Sequence, residues 1–346
     1  MSFYVRLARS GRSFDASANE AVLDAAMRQG ILIPYGCRNG ACGSCRARLT
    51  DGSVNYPAGD PASLDERQRE RGEVLLCQAH ATSDIELDVD ELDVGSTTAV
   101  RTLPVRVMKL ERLADDVMLV GLKLPATERL QYLPGQYLEI LLRDGRRRAF
   151  SIANPPHAGE FLELHVRRVP DGMFSGQVFD SMKERALLRV HGPLGSFFLR
   201  DSGRAAVIVA GGTGFAPAQA LIEGAIAAGD SRPVHLYWGV RDLPDLYRHE
   251  RAGAWAAAHG HIRYVPVLSE PSIAANWQGR TGFVHTAVLE DAAAGKLDLA
   301  QADIYASGPP IMVDSIRGTF PDAGMNTDHL YYDAFDYAFE TGHDTV

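Results

Sequence analysis

The sequence predicts a multidomain protein of mixed α+β and α/β class. It has a small α+β unit, an antiparallel β-barrel and an α/β unit on a parallel sheet, in that order. Three observations predict this. Up to about residue 92, short alternating strands surround one helical stretch. Between about residues 102 and 199, short strand-like segments recur with turn signals. From Ala205 onward, apolar strand runs alternate with helical stretches. A length of 346 residues suits two or three domains.

The first domain is read as residues 1–94. Phe3 to Leu7 and Arg12 to Ala16 form a hairpin turning at Ser10-Gly11. Glu20 to Gln29 carries Val22, Leu23, Ala26 and Met27 at helical spacing, and Gly30 stops it. Arg46 to Thr50 and Gly52 to Tyr56 read as strands, and Leu64 to Arg71 as a short polar helix. Asp84 to Asp90 alternates cleanly as a closing strand. A small mixed sheet crossed by one helix is a β-grasp.

Between its helix and its third strand lie Cys37, Cys42 and Cys45, and Cys77 follows 32 positions later. Cys-x4-Cys-x2-Cys with a distant fourth cysteine is the plant-type [2Fe–2S] spacing. Four thiolates give two bridged irons two ligands each, and no cysteine is left over. Two disulfides and a four-cysteine zinc site are the alternatives. The cytosolic-looking composition disfavours the first, and the absence of two similar short-spaced pairs disfavours the second.

Gly95 to Ala99 is small and polar, so residues 95–101 read as a linker. In the barrel, residues 102–199, the strands are Arg106 to Leu110, Val117 to Leu124, Tyr137 to Leu142 and Phe161 to Arg167. In the last domain, residues 200–346, Ala205 to Ala210 is a buried parallel strand, Pro217 to Ala228 a helix and Val234 to Gly239 the next strand. Strand–helix alternation continues through Asp303 to Ser307.

Bulk properties exclude several classes. A net charge of −9 argues against nucleic acid as a partner, because phosphate binding needs a basic face. No run approaches the roughly 18 apolar residues of a membrane span, and the N-terminus lacks the pattern of a secretory signal. A cytoplasmic protein without a membrane anchor is expected. Eleven histidines show no metal pattern. His259 and His261 read as residues at a helix end. Residues 1–94 hold ten Arg and no Lys against fifteen Asp and Glu, so Asp84 to Asp93 is either a solvated acidic face or a docking face for a partner.

Further motifs follow in a fixed order: Leu133-Pro-Gly-Gln136, Arg148-Ala-Phe150-Ser151, Gly172-Met173-Phe174-Ser175, Gly211-Gly212-Thr213-Gly214 with Pro217, and Ser307-Gly308-Pro309-Pro-Ile-Met312. Singly, each reads as an ordinary feature: a solvated arginine, a core aromatic, a turn. Together with the cysteine loop they resemble the ferredoxin–NADP reductase-like flavoprotein reductases with an N-terminal [2Fe–2S] domain, over nearly the whole chain. Members of that family serve as reductase components of bacterial ring oxygenases and of the deoxysugar dehydrase system.

The resemblance implies an NAD(P)H-dependent oxidoreductase carrying FAD and a [2Fe–2S] cluster. Arg148 would pair with the flavin pyrophosphate. Phe150, where relatives usually carry Tyr, would pack beside the isoalloxazine, and Ser151 would lie near flavin N5. Gly172, Met173, Phe174 and Ser175 would form a second phosphate-binding turn at a helix N-terminus. His165, Val166 and Arg167 would be the matching backbone contacts. Gly212, Thr213, Gly214 and Pro217 would take the nicotinamide pyrophosphate. Ser307, where relatives carry Cys, would line nicotinamide C4 together with Gly308, Pro309 and Met312. Phe335 would shield the flavin face, although eleven residues follow it. Ser269 and Glu270 would meet the adenine ribose. Glu270 repels a 2′-phosphate, so NADH is favoured, with NADPH the alternative. The expected acceptor is a protein, an oxygenase component. The alternatives are an iron–sulfur CDP-deoxysugar 3-dehydrase, or an electron carrier without nicotinamide activity.

Overall fold

The computed structural model describes residues 1–92, 99–273 and 276–335. Residues 95–98 of the expected linker and the stretch from Asp336 to Val346 lie outside the described residues.

The first unit contains β1 (Ser2–Leu7), β2 (Ser13–Ser17), α1 (Val22–Arg28), β3 (Arg46–Asp51), β4 (Val54–Asn55), α2 (Glu66–Glu70), β5 (Glu73–Leu75), β6 (His80–Ala81) and β7 (Ile85–Asp88). Its five-stranded sheet runs β2-β1-β7-β3-β5, mixed in direction. Val22, Leu23, Ala25 and Ala26 of α1 are buried in the core against Val5, Leu7, Phe14 and Leu87. The expected strand at Gly52 to Tyr56 shrinks to two residues. Gly52 turns with φ 86°, and β4 pairs with β6 in a separate ribbon. The acidic strand β7 lies beside β1, whose end and following turn carry arginines. Arg6 meets Glu86 at 3.1 Å, Arg9 meets Asp88 at 2.6 Å and Asp90 at 2.8 Å, and Arg12 pairs with Glu91. The acidic face expected from the sequence stays largely exposed, with its carboxylates paired to the chain's own arginines.

The second unit contains β8 (Arg101–Ala114), β9 (Val117–Lys123), β10 (Tyr137–Leu141), β11 (Arg147–Ser151), β12 (Leu162–Arg167), α3 (Met173–Asp180) and β13 (Leu187–Leu194). All its strand pairs are antiparallel, in the order β11-β10-β13-β8-β9-β12. The two end strands meet at one bridge, Ile152 to Leu164, with the Ala153 N–H on the Glu163 carbonyl at 2.7 Å. The ring thus closes at one point and leaves a seam. Strands β11 and β13 are not among the expected strands.

The third unit contains β14 (Ala205–Gly211), α4 (Phe215–Ala228), β15 (Val234–Val240), α5 (His249–Ala258), β16 (Ile262–Leu268), β17 (Arg280–Thr281), α6 (Val284–Ala293), β18 (Ala302–Gly308), α7 (Pro310–Thr319) and β19 (Leu330–Ala334). Its sheet is wholly parallel, β17-β16-β15-β14-β18-β19. The chain order reverses between β14 and β18, a topological switch point, and such crevices hold ligands at the carboxyl ends of the strands. Gly211 to Gly214 and Ser307 to Pro309 are those two carboxyl ends. Among the described residues, no helix is long and apolar enough to cross a membrane.

Candidate functional site

The cysteine loop turns tightly because Gly40 and Gly43 adopt φ of 82° and 80°, a region costly for any side chain. Cys42, Cys45 and Cys77 are buried and Cys37 is half-buried, and none is in a disulfide. They fall into two contacting pairs, Cys37 with Cys42 and Cys45 with Cys77. Contact between the two sulfurs lowers Cys42 and raises Cys37. The same contact raises Cys45 and lowers Cys77. Backbone N–H groups point at sulfur: Cys42 N–H to Cys37 Sγ at 3.3 Å, and Cys37 and Ser44 N–H to Cys42 Sγ at 3.4 Å. Among the described residues no three metal-ligating side chains converge on one point. Two thiol pairs with amide donors around them fit a binuclear cluster taking one pair per iron.

Along the barrel seam, Arg148, Phe150 and Ser151 stand on β11 and His165, Val166 and Arg167 on β12. The N-terminus of α3 is close by, with Phe150 and Phe174 ring centroids 5.4 Å apart. Ser175 shapes the turn before α3: its Oγ accepts the Val169 N–H and donates to the Gly172 carbonyl, both at 3.1 Å. Met173 remains about half exposed. Arg148 is half-buried and donates to the Arg147 carbonyl at 2.9 Å. A slot edged by strand backbone, aromatic rings and arginine, and ended by a helix N-terminus, fits a flavin nucleotide.

Two of these residues also face the third unit. His165 is fully enclosed, with Nε2 2.9 Å from Glu163 Oε1 and Nδ1 3.1 Å from the Tyr247 hydroxyl. Burial lowers its pKa and keeps the ring neutral. Arg167, expected as a backbone contact for the flavin, sends its side chain to Gly212, where a Cβ would sit 3.2 Å from Nη1. Its buried Nε and Nη2 have no hydrogen-bond partner, and Asp116 lies 3.5 Å from Nε. Orphaned guanidinium donors over a glycine turn suit a phosphate.

The turns after β14 and β18 pack face to face. A Cβ on Gly214 would overlap the Ser307 carbonyl, so only glycine fits there. A Cβ on Gly211 would lie 2.8 Å from both Met312 Sδ and Pro309 Cδ. Thr213 is buried, and Pro217 sits in the first turn of α4, where its missing N–H costs nothing. Gly308 has φ 142°. Ser307 departs from the expected position: it is fully buried, and its Oγ donates to the Gly214 carbonyl at 2.7 Å. Its hydroxyl ties the two turns together rather than facing an open pocket. Ser269 Oγ donates to the Val240 carbonyl at 3.3 Å. Glu270 is exposed and beside Arg241, which Asp245 and Asp116 hold at 3.4 and 3.8 Å. Phe335 is half-buried, with its N–H on the Gly308 carbonyl at 2.8 Å.

The three units meet around β19. Ser44 Oγ, next to Cys45, donates to the Tyr332 carbonyl at 3.4 Å. The next residue, Asp333, accepts from Ser151 Oγ at 3.2 Å. Burial of the Asp333 carboxyl, then the nearby Cys42, raises its pKa to about 7. Asp333 is not among the site residues expected from the sequence. The signal was present, since a carboxylate inside an aromatic parallel strand is costly. A cavity of about 670 Å³ elsewhere in the barrel, lined by Leu124, Tyr132 and Pro156, touches none of the expected site residues.

A binuclear thiolate loop, a flavin-shaped seam and a glycine-turn switch point meeting at one junction define an electron-transfer flavoprotein reductase. Family profiles agree: a 2Fe-2S iron–sulfur cluster binding domain matches residues 5–82, an oxidoreductase FAD-binding domain 104–199 and an oxidoreductase NAD-binding domain 208–318. The chain belongs to the ferredoxin–NADP reductase-like flavoprotein reductases with an N-terminal plant-type [2Fe–2S] domain. It is 40% identical to the CDP-6-deoxy-L-threo-D-glycero-4-hexulose-3-dehydrase reductase of Yersinia pestis over 97% of this chain and 99% of that protein. It is 32% identical to the phenol 2-monooxygenase reductase component DmpP of Pseudomonas sp. (strain CF600), over 97% and 95%. Among solved structures, the Amycolatopsis cytochrome P450 reductase GcoB superposes with a TM-score of 0.78 at 34% identity, over 96% of this chain and 98% of that one. The protein is an oxidoreductase that uses FAD, a nicotinamide cofactor and a [2Fe–2S] cluster.

Proposed function

We propose that this reductase takes a hydride from NADH at the β14/β18 crevice and releases single electrons through Cys37, Cys42, Cys45 and Cys77 to a protein acceptor. Bound FAD supplies the exchange between paired and single electrons that nicotinamide and cluster lack. The carrying observation is the junction itself, where Ser151 at the seam, Asp333 and Tyr332 of β19 and Ser44 of the cysteine loop are in direct contact.

In this reading Arg148 and the Gly172–Ser175 turn hold the flavin phosphates, and Phe150 packs on the ring. Val166 and the backbone of His165 edge the slot. Arg167 and the Gly212–Gly214 turn, with Pro217 starting the helix behind it, take the nicotinamide pyrophosphate. Pro309 and Met312 back the nicotinamide, Ser307 and Gly308 set the turn beneath it, and Phe335 covers the flavin until nicotinamide displaces it. Ser269 and Glu270 receive the adenine ribose as its free 2′-hydroxyl form. Domain limits at 1–94, 102–199 and 200–346 belong to the same reading, as does a cytoplasmic setting, which keeps thiols reduced.

The acceptor we infer is a CDP-deoxyhexulose dehydrase, supported by 40% identity to that reductase class against 31–34% for the oxygenase components. The oxygenase reading is supported by the likeness to the P450 reductase. Anaerobic NADH should bleach the flavin and then the cluster, whereas an unbleached flavin leaves only a carrier without nicotinamide activity. NADH-reduced protein mixed with a dehydrase and its sugar nucleotide, or with an oxygenase, should reoxidise at turnover rate with its own acceptor. Reoxidation by the oxygenase alone would refute the dehydrase reading. Cys77→Ala should lose cytochrome c reduction and keep ferricyanide reduction through the flavin.

A further inference from the structure

Arg200 lies in the segment joining β13 to β14, outside every motif considered so far. Its guanidinium carbon sits 4.0 Å from the ring centre of Phe198 and 4.5 Å from that of Tyr331. Its Nη2 donates to the Ser196 carbonyl at 2.9 Å and its Nη1 to the Phe198 carbonyl at 3.3 Å. Its backbone is held as well: the N–H donates to the Tyr305 hydroxyl at 2.8 Å, and the carbonyl accepts from Arg232 Nη1 at 2.6 Å. Among the described residues no carboxylate forms an ion pair with it. A desolvated guanidinium between two rings, satisfied by carbonyls, is a planar clamp that an ammonium cannot copy.

Both ends of the cysteine loop lead back to this clamp. Ser196, under Nη2, exchanges hydrogen bonds with Tyr35: its Oγ with the Tyr35 N–H and carbonyl at 2.8 Å each, and its N–H to the same carbonyl at 3.1 Å. Tyr35 precedes Cys37 by two residues. On the other side Tyr331 precedes Tyr332, whose carbonyl takes Ser44 Oγ between Cys42 and Cys45. Tyr331 also stacks on Tyr305 of β18, with centroids 5.1 Å apart. The barrel's exit segment, the last strand of the parallel sheet and the two flanks of the cluster loop therefore share one guanidinium.

We propose that Arg200 is a positioning residue for electron passage from flavin to cluster, fixing the cysteine loop against β19. The inference rests on the reductase reading above. Each NADH oxidised to NAD⁺ delivers two electrons that leave one at a time, so the junction is used twice per turnover. Arg200 touches none of the residues assigned to flavin or nicotinamide.

The test is Arg200→Met and Arg200→Lys in the full-length holoprotein. Reduction of the cluster after rapid mixing with NADH should slow roughly 10- to 100-fold in Arg200→Met, the scale of loss that an ångström of misplacement brings, while NADH–ferricyanide activity stays within about twofold. Arg200→Lys should fall between, because it keeps the charge and loses the fork. Amide exchange of Tyr35 and Ser196, read by mass spectrometry, should accelerate in the same order. An unchanged cluster-reduction rate, or a slowed rate with unchanged Tyr35 exchange, would overturn the proposal. If Arg200→Met does not fold, Ser196→Ala, which removes the two hydroxyl bonds to Tyr35 and leaves Arg200 in place, should reproduce the split between the two activities, and failure to do so would also overturn it. Wild-type protein inert toward NADH would instead refute the underlying reading.

Discussion

Asp333 shows how one residue can be set by its surroundings. Its carboxyl bonds Ser151, is packed between the barrel and β19, and titrates near 7 instead of 3.8. The raised folded value means that the folded protein holds a proton the unfolded chain has lost between pH 4 and 7. Stability is then full below about pH 4 and falls as pH rises toward 7. Asp333→Asn removes that slope. Thermal melts of the cofactor-free protein should show the variant gaining on wild type between pH 4 and 7, by on the order of 4 kcal/mol, and level above. Equal slopes would contradict the burial argument. Just past β16, Glu270 stands exposed beside Arg241, whose guanidinium Asp116 and Asp245 hold. Glu270→Arg should raise the NADPH/NADH ratio of kcat/KM by at least about tenfold, since it replaces repulsion of a phosphate by a charge-assisted bond. No change would separate Glu270 from nucleotide choice.

At the scale of elements, the two glycine turns of the parallel sheet are locked by contact. Gly214→Ala places a methyl in the Ser307 carbonyl, and no side-chain rotation relieves it. Its cost should exceed about 3 kcal/mol. NADH bleaching should be lost while cluster and flavin absorbance persist, because the apolar clusters under the β-grasp and the barrel contain no residue of the parallel-sheet unit. The ladder between β1 and β7 behaves differently. Its pairs are largely exposed, and such pairs are worth about 0–1 kcal/mol each. Asp88→Asn with Asp90→Asn should therefore shift the melting midpoint by only a few degrees at most and leave the KM for the acceptor protein unchanged. A tenfold rise in that KM would make this strand a docking face after all.

At the scale of the whole molecule, the β-grasp core is not closed by its own residues. Tyr137 and Leu194 of the barrel lie in the same apolar cluster as Tyr35 and Cys45, and the Tyr137 hydroxyl bonds the Gly36 carbonyl at 2.9 Å. The first domain is thus seated on the flavin barrel at the cysteine loop. Tyr137→Phe should cost about 1–2 kcal/mol, the range for one lost buried hydrogen bond. It should slow flavin-to-cluster transfer more than ferricyanide reduction. Equal slowing of the two would place its effect in the flavin site.

The sequence by itself determined the three classes of sheet, the thiol set and the glycine turns. Each is written locally: cysteine spacing, period-2 strands, apolar runs, and glycines where a side chain cannot fit. The tertiary structure decided what these pieces do to one another. It turned Ser307 inward onto Gly214, sent Arg167 from the barrel to the glycine turn after β14, and gave the acids of β7 to neighbouring arginines. It also brought Asp333 to Ser151 and put Arg200 between Phe198 and Tyr331. None of these partners is near the other in sequence except Arg200 and Phe198. Such pairings arise from side chains of elements far apart in the chain, some across domain interfaces, where neither spacing nor periodicity records which residue will be opposite.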